Sequence, residues 1–137
     1  MQEDKEAIFD ACETVKMCLK VFTPMIKTMK AIPENMKKAA QKGFINATDL
    51  ADYLVGKGLP FRIAYKISGQ IVSRCIEADQ VLEHLPLESY REDSELFDED
   101  VYDAVDLAAC VNRRNSLGGT APEQVQMQID YVRGLLK

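Results

Sequence analysis

Residues 2–30 read QEDKEAIFDACETVKMCLKVFTPMIKTMK, and this stretch carries the clearest structural pattern in the chain. Its apolar residues recur every seven positions, which is the spacing of one face of a helix. They fall in three neighbouring columns: Ile8, Val15, Phe22 and Met29; Ala11, Cys18 and Met25; and Cys12, Leu19 and Ile26. Such a stripe is wider than a two-stranded coiled coil needs. We therefore expect self-association through a helix over residues 8–29.

The other side of this helix is basic, and one proline interrupts it. Lys16, Lys20, Lys27 and Lys30 lie opposite the apolar columns and are typical of a solvated face rather than an anion site. Pro24 removes a backbone donor and places its ring against the preceding turn. The pattern therefore predicts an end or a bend near Thr23.

A second break follows at Ile32-Pro33, because the residue before a proline is pushed out of the helical region. The break divides the chain into residues 1–31 and 32–137. In the second part, residues 34–42 predict a short helix closed by Gly43. Asn46 is a candidate N-cap with Asp49 three residues on, and it opens another helix.

Two further helices are predicted from prolines at their first turns. Pro60 begins one whose buried face is expected to comprise Ile63, Ile67, Ile71, Val72 and Ile76, with Cys75 beside it. Thr120-Ala121-Pro122-Glu123 is a capping box that opens the last helix. Alternating strand patterns of any length are absent from the sequence. The predicted fold class is all-α: one long N-terminal helix followed by a small multi-helix domain.

Residues 77–106 contain twelve acidic residues and one basic residue, Arg91. A calcium loop needs a central glycine, and this run has none, so short helices with acidic first turns explain it better. We expect no metal site here. Gly118-Gly119 suggests a phosphate-binding loop, but no strand precedes it and no Gly-Lys-Ser/Thr follows, which favours a turn.

The composition limits which partners the chain is expected to bind and in which cellular compartment it is expected. The 137 residues carry a net charge of -5, which argues against nucleic acid and anionic membranes as partners. No apolar stretch approaches the roughly 20 residues of a membrane helix. The four cysteines lack Cys-x-x-Cys spacing and are expected to be reduced, buried or half-buried structural thiols. With no secretory signal in MQEDKEAIFD, the expected location is the cytoplasm.

Residue types alone indicate no reaction. The only histidine, His84, stands beside Glu83 in a leucine-rich stretch and is expected on a helix face or at the surface. Carboxylate pairs could be chosen at will from the acidic run, so choosing them carries no information. The residues by themselves indicate a helical module with a wide interaction stripe.

Three blocks of sequence resemble the argininosuccinate lyase family, of the fumarase and aspartase superfamily. They are MQEDKE at residues 1–6; GFINATDLADYLV and KGLPFR at residues 43–55 and 57–62; and VNRRNSLGGTAPE at residues 111–123. The blocks occur in the family's order and reach both ends of the chain. One departure is Tyr65, where many relatives have histidine.

The resemblance implies a C-terminal fragment of an all-α enzyme that splits argininosuccinate into arginine and fumarate without a cofactor. It implies a cytoplasmic homotetramer around a central helical bundle. Residues 1–31 would end that bundle and residues 32–137 would form the C-terminal domain. The family's Gly-Ser-Ser and Met-Pro-x-Lys loop, which carries the catalytic serine, does not occur here. No catalytic residue is therefore assigned, and we expect the fragment to be inactive.

Two substrate-binding residues follow from the resemblance, Gln2 and Lys5. An amide both donates and accepts hydrogen bonds and an ammonium pairs with a carboxylate, which suits a ligand with amino-acid head groups. The alternative reading is a non-catalytic helical interaction or structural module, in which the two residues are merely solvated.

Overall fold

The computed structural model describes Glu3 and residues 5–136, and the regular secondary structure of this part of the chain is all helical, with no strand. The all-α prediction is confirmed. None of the described helices is long and apolar enough to cross a membrane. The helices are α1 (Glu6–Thr28), α2 (Pro33–Lys42), α3 (Ala47–Gly56), α4 (Phe61–Glu77), α5 (Leu87–Arg91), α6 (Val101–Val105), α7 (Leu107–Asn112) and α8 (Pro122–Leu135), with a 3-10 turn at Leu82–His84.

The chain divides into two compact units, one up to Glu34 and one from Asn35. The first is dominated by α1, which buries no residue. Its large apolar side chains are all more than half exposed: Ile8, Phe9, Val15, Met17, Leu19, Val21, Phe22, Met25 and Ile26. Cys12 and Cys18 share this exposure, so the expectation that they are buried or half-buried is wrong for this chain.

Pro24 lies inside α1, which continues to Thr28. Of the predicted end or bend near Thr23, the end is therefore wrong, and the bend stays a prediction. Two threonine hydroxyls donate hydrogen bonds to backbone carbonyls one turn earlier in the helix. Thr23 Oγ1 donates to Leu19 O over 2.9 Å, and Thr28 Oγ1 donates to Pro24 O over 2.8 Å. The helix ends at Thr28, and the backbone of its C-cap residue, Met29, is extended.

The core of the second unit forms where α3 packs on α4. Leu50, Ala51 and Leu54 of α3 are fully buried, as are Ala64, Ile71 and Cys75 of α4. The buried face of α4 differs from the predicted one, because Ile63 and Ile76 are 48% and 62% exposed. Small residues allow the two helices to approach closely, and Ser68 Oγ donates to Ala47 O over 2.7 Å.

The acidic segment covers this core with its apolar side chains. Tyr90, Phe97, Val101 and Val105 are fully buried, whereas Leu96 is 39% exposed. Tyr90 packs on Phe97 with ring centroids 5.0 Å apart, and its hydroxyl donates to Leu82 O over 2.7 Å. The run therefore contains short helices, of which α5 and α6 have the predicted acid in their first turns, Glu88 and Asp103.

Both predicted side-chain caps are wrong, although the helices begin near the predicted residues. Asn46 caps no amide of α3; its Nδ2 donates instead to Val105 O over 2.7 Å. Thr120 lies outside α8, whose N-cap is Ala121 and which has no side-chain cap.

Candidate functional site

The first candidate site is the beginning of α1. Lys5 immediately precedes the helix, is exposed, and accepts a hydrogen bond from Phe9 N through its carbonyl oxygen over 3.0 Å. Its ammonium forms no ion pair with another described residue. Gln2, the other predicted substrate-binding residue, lies outside the described residues. An unpaired ammonium at the positive end of a 23-residue helix suits a carboxylate ligand.

The second unit contains one buried ionic cluster, which the sequence analysis did not predict. Asp49 is 4% exposed and accepts hydrogen bonds from Arg114 Nη1 and Nη2 over 3.1 and 2.8 Å. Arg113 Nη2 donates to the same carboxylate over 3.3 Å. In the sequence, the cluster is indicated only by two consecutive arginines in a segment with few acidic residues. No residue near them in sequence identifies Asp49 as their partner.

The cluster joins three parts of the second unit: the start of α3, the end of α6 and the segment after α7. Arg113 also donates to Ala104 O, at the end of α6, while Asn46 donates to the next carbonyl, that of Val105. Burial raises the pKa of Asp49, but the hydrogen bonds and charge of Arg114 outweigh burial and hold that pKa below its ordinary value of 3.8. Asp49 is therefore an ionised anchor rather than a proton carrier.

Cys110 lies against this cluster and is 7% exposed. Burial and then the negative charge of Asp49 raise the pKa of the Cys110 thiol to about 11. A thiol with that pKa is a poor nucleophile at neutral pH. Cys110 is therefore a structural residue.

Gly118-Gly119 forms a turn, as predicted. Gly118 has a φ of 79°, and a Cβ on Gly119 would lie 2.1 Å from Arg114 O. Hydrogen bonds close the turn, from Gly119 N to Ser116 O over 2.8 Å and from Ala121 N to Arg114 O over 3.1 Å. The two glycines thus allow the backbone to double back on Arg114.

A third polar cluster lies at the surface between α3 and the acidic segment. The Tyr53 hydroxyl donates to Asp100 and accepts from Asp98 N over 3.1 Å, and Lys57 Nζ lies 2.7 Å from Asp100. Burial and the hydrogen bond to Asp100 raise the pKa of Tyr53, so its hydroxyl stays protonated at neutral pH and is not available as a base. His84 is exposed in the 3-10 turn. Within Glu3 and residues 5–136, no group of three His, Cys, Asp or Glu side chains is placed to hold a metal ion.

The polar clusters of the second unit therefore have structural roles. Lys5, at the start of α1, is exposed and has no ion-pair partner among the described residues. No described element brings a second predicted site residue to Lys5.

Residues 44–112 match the family model described as argininosuccinate lyase C-terminal. The matched range holds α3 to α7 and the residues of their shared core, with Asp49 near its start.

Curated argininosuccinate lyases match over nearly the whole chain. That of Acetivibrio thermocellus is 57% identical over 130 residues, which are 95% of this chain and 28% of the relative. Those of Clostridium beijerinckii and Desulforamulus reducens are 49% and 52% identical over 99% and 100% of this chain and 30% of each relative. The chain thus spans less than a third of the length of these relatives.

Among solved structures, an EDDS lyase variant with bound fumarate matches with a TM-score of 0.69 and 28% sequence identity. The match covers 75% of this chain and 22% of that protein.

Proposed function

Because the chain belongs to the argininosuccinate lyase C-terminal family, we propose that it is the C-terminal portion of an argininosuccinate lyase. The complete enzyme would cleave argininosuccinate to arginine and fumarate by elimination, the last step of arginine biosynthesis. The observation that carries this proposal is the agreement of about half of all residues with curated argininosuccinate lyases along essentially the full chain.

In this proposal the chain supplies binding and assembly rather than proton transfer. Elimination needs a base on the succinyl carbon, and general acid-base catalysis needs that group within hydrogen-bond reach of the proton. The buried thiol of Cys110 and the hydroxyl of Tyr53 have raised pKa values, and Asp49 is held ionised by two arginines. The Gly-Ser-Ser and Met-Pro-x-Lys signature does not occur in the 137 residues. The fragment is therefore inactive by itself.

Lys5 would contact the substrate. Lys5 is the N-cap residue of α1 and its side chain is exposed. Its positive charge and the free backbone amides of the first turn both favour an anionic group. Argininosuccinate carries carboxylates that could occupy this position. Gln2 would contribute amide hydrogen bonds to the same ligand, a role that rests on the resemblance alone.

The apolar face of α1 would complete a helical bundle, as in a cytoplasmic homotetramer in which each active site draws on more than one subunit. The more than half-exposed apolar side chains of α1 support this assembly, because a helix with so much unburied apolar surface needs neighbours. The same observation supports the second candidate, a helical interaction module without catalysis.

The test is the substitution Lys5→Met in a lyase polypeptide that ends in this chain, with fumarate release followed by ultraviolet absorbance. Methionine keeps the length of the side chain and removes its charge. Loss of one charge-assisted contact would cost about 1.5–3 kcal/mol, or roughly 10- to 150-fold in kcat/KM. Lys20→Met is the matched control on the basic side of α1 and should leave kcat/KM within about twofold of wild type. Equal kinetics for Lys5→Met and wild type would contradict the substrate contact.

A further inference from the structure

We draw no further inference here: the strongest candidate, the groove between α2, the 3-10 turn at residues 82–84 and α7, carries nothing, because both carboxylate oxygens of Glu83 beside it are closed off from solvent and nothing in the described part of the chain shows what covers its apolar wall.

Discussion

Asp49 is the residue on which the second unit depends most for its polar organisation. Its carboxylate is almost fully buried, while the side chains of its two arginine partners are each 45% exposed. Water therefore solvates the arginines in part, and the carboxylate relies on them because its own hydration is lost. The ion pairs of Asp49 with the two arginines join the first turn of α3 to the segment that leads into α8.

We expect Asp49→Asn to lower the free energy of unfolding by about 1.5–3 kcal/mol, since it removes the charge from hydrogen bonds with two guanidinium groups. Chemical denaturation measures the change. Asp79→Asn is the matched control: Asp79 is 89% exposed in its ion pair with Lys42, so its loss should change stability by no more than about 0.5 kcal/mol.

The same substitution has a defined pH dependence. The pKa of Asp49 is lowered in the folded chain, so its contribution is complete above the ordinary value of 3.8 and is lost as pH falls through the lowered pKa. The difference in unfolding free energy between wild type and Asp49→Asn should be constant from neutral pH down to about pH 5 and should shrink below about pH 4. A difference that persists undiminished at the lowest pH would show that Asp49 acts through its shape rather than its charge.

Gly119 gives a second prediction for a single residue. Gly119→Ala would place a methyl group against the carbonyl oxygens of Arg114 and Ser116, both backbone atoms, so the turn must open. We expect a loss of about 1–3 kcal/mol in the free energy of unfolding, the usual cost of overpacking. Gly69→Ala is the contrasting variant, because nothing lies within 4 Å of its added carbon and it is inside α4. It should stabilise the chain by about 0.5–1 kcal/mol. Equal effects of the two substitutions would contradict the close approach of Gly119 to the carbonyl oxygens of Arg114 and Ser116.

At the scale of the helices, the apolar spacing predicts their existence well. The stretches that became α1, α4 and α8 each hold an apolar pattern over three or more turns, and that signal is local. The predicted buried face of α4 is correct for Ile71 and Cys75 and wrong for Ile63 and Ile76. Close packing on α3 selects the small residues Ala64 and Ser68 over these two large ones. Only the partner helix determines that choice.

Interactions at helix ends are less predictable, because their partners are distant in sequence. Asn46 follows the rule for an N-cap, yet its side chain binds a carbonyl 59 residues away. Asp49 fits a capping box, yet its partner Arg114 is 65 residues away. The substrate-binding prediction for Lys5 came from resemblance, and the spacing of residues offered no independent indication of it.

The apolar face of α1 leads to a prediction about association. We expect the chain to form dimers or four-helix assemblies at tens of micromolar, because burying each large apolar side chain of α1 contributes about 1.5–3 kcal/mol and several together outweigh the cost of association. Light scattering should give a mass above the 15.4 kDa of one chain. The double substitution Leu19→Glu, Phe22→Glu should reduce the mass to that of one chain.

The control for this experiment places acids on the other side of the same helix. Lys20→Glu, Lys27→Glu makes the chain even more negative than the apolar-face variant does, so general charge repulsion alone would separate the control more readily. We expect the control to associate like wild type. A monomeric wild type, or an apolar-face variant that associates equally well, is incompatible with an interface on this face.

On the scale of the whole molecule, the two units differ in what they can do alone. The unit from Asn35 contains the buried cluster of α3, α4 and the acidic segment, whereas α1 buries nothing within this chain. An isolated helix is marginal in water, and most helical stability comes from packing of its apolar face. The proposed lyase therefore needs this chain both to present Lys5 and to add α1 to a bundle formed with other polypeptide.

This dependence predicts that the purified 137-residue chain does not convert argininosuccinate. The proposed contact of Lys5 would bind a substrate, but without a positioned base the carbon–nitrogen bond has no route to break. Fumarate absorbance should stay at the level of buffer with the chain alone, while a complete argininosuccinate lyase in the same assay shows turnover.

Mixing the chain with a polypeptide that carries the remainder of the enzyme should restore measurable turnover. The Leu19→Glu, Phe22→Glu variant should fail to do so because its α1 cannot join the bundle. A preparation purified in parallel from host cells without the chain should be inactive, which excludes traces of host lyase. Turnover by the chain alone would then place a catalytic base among these residues and contradict the proposal that the chain supplies binding and assembly only.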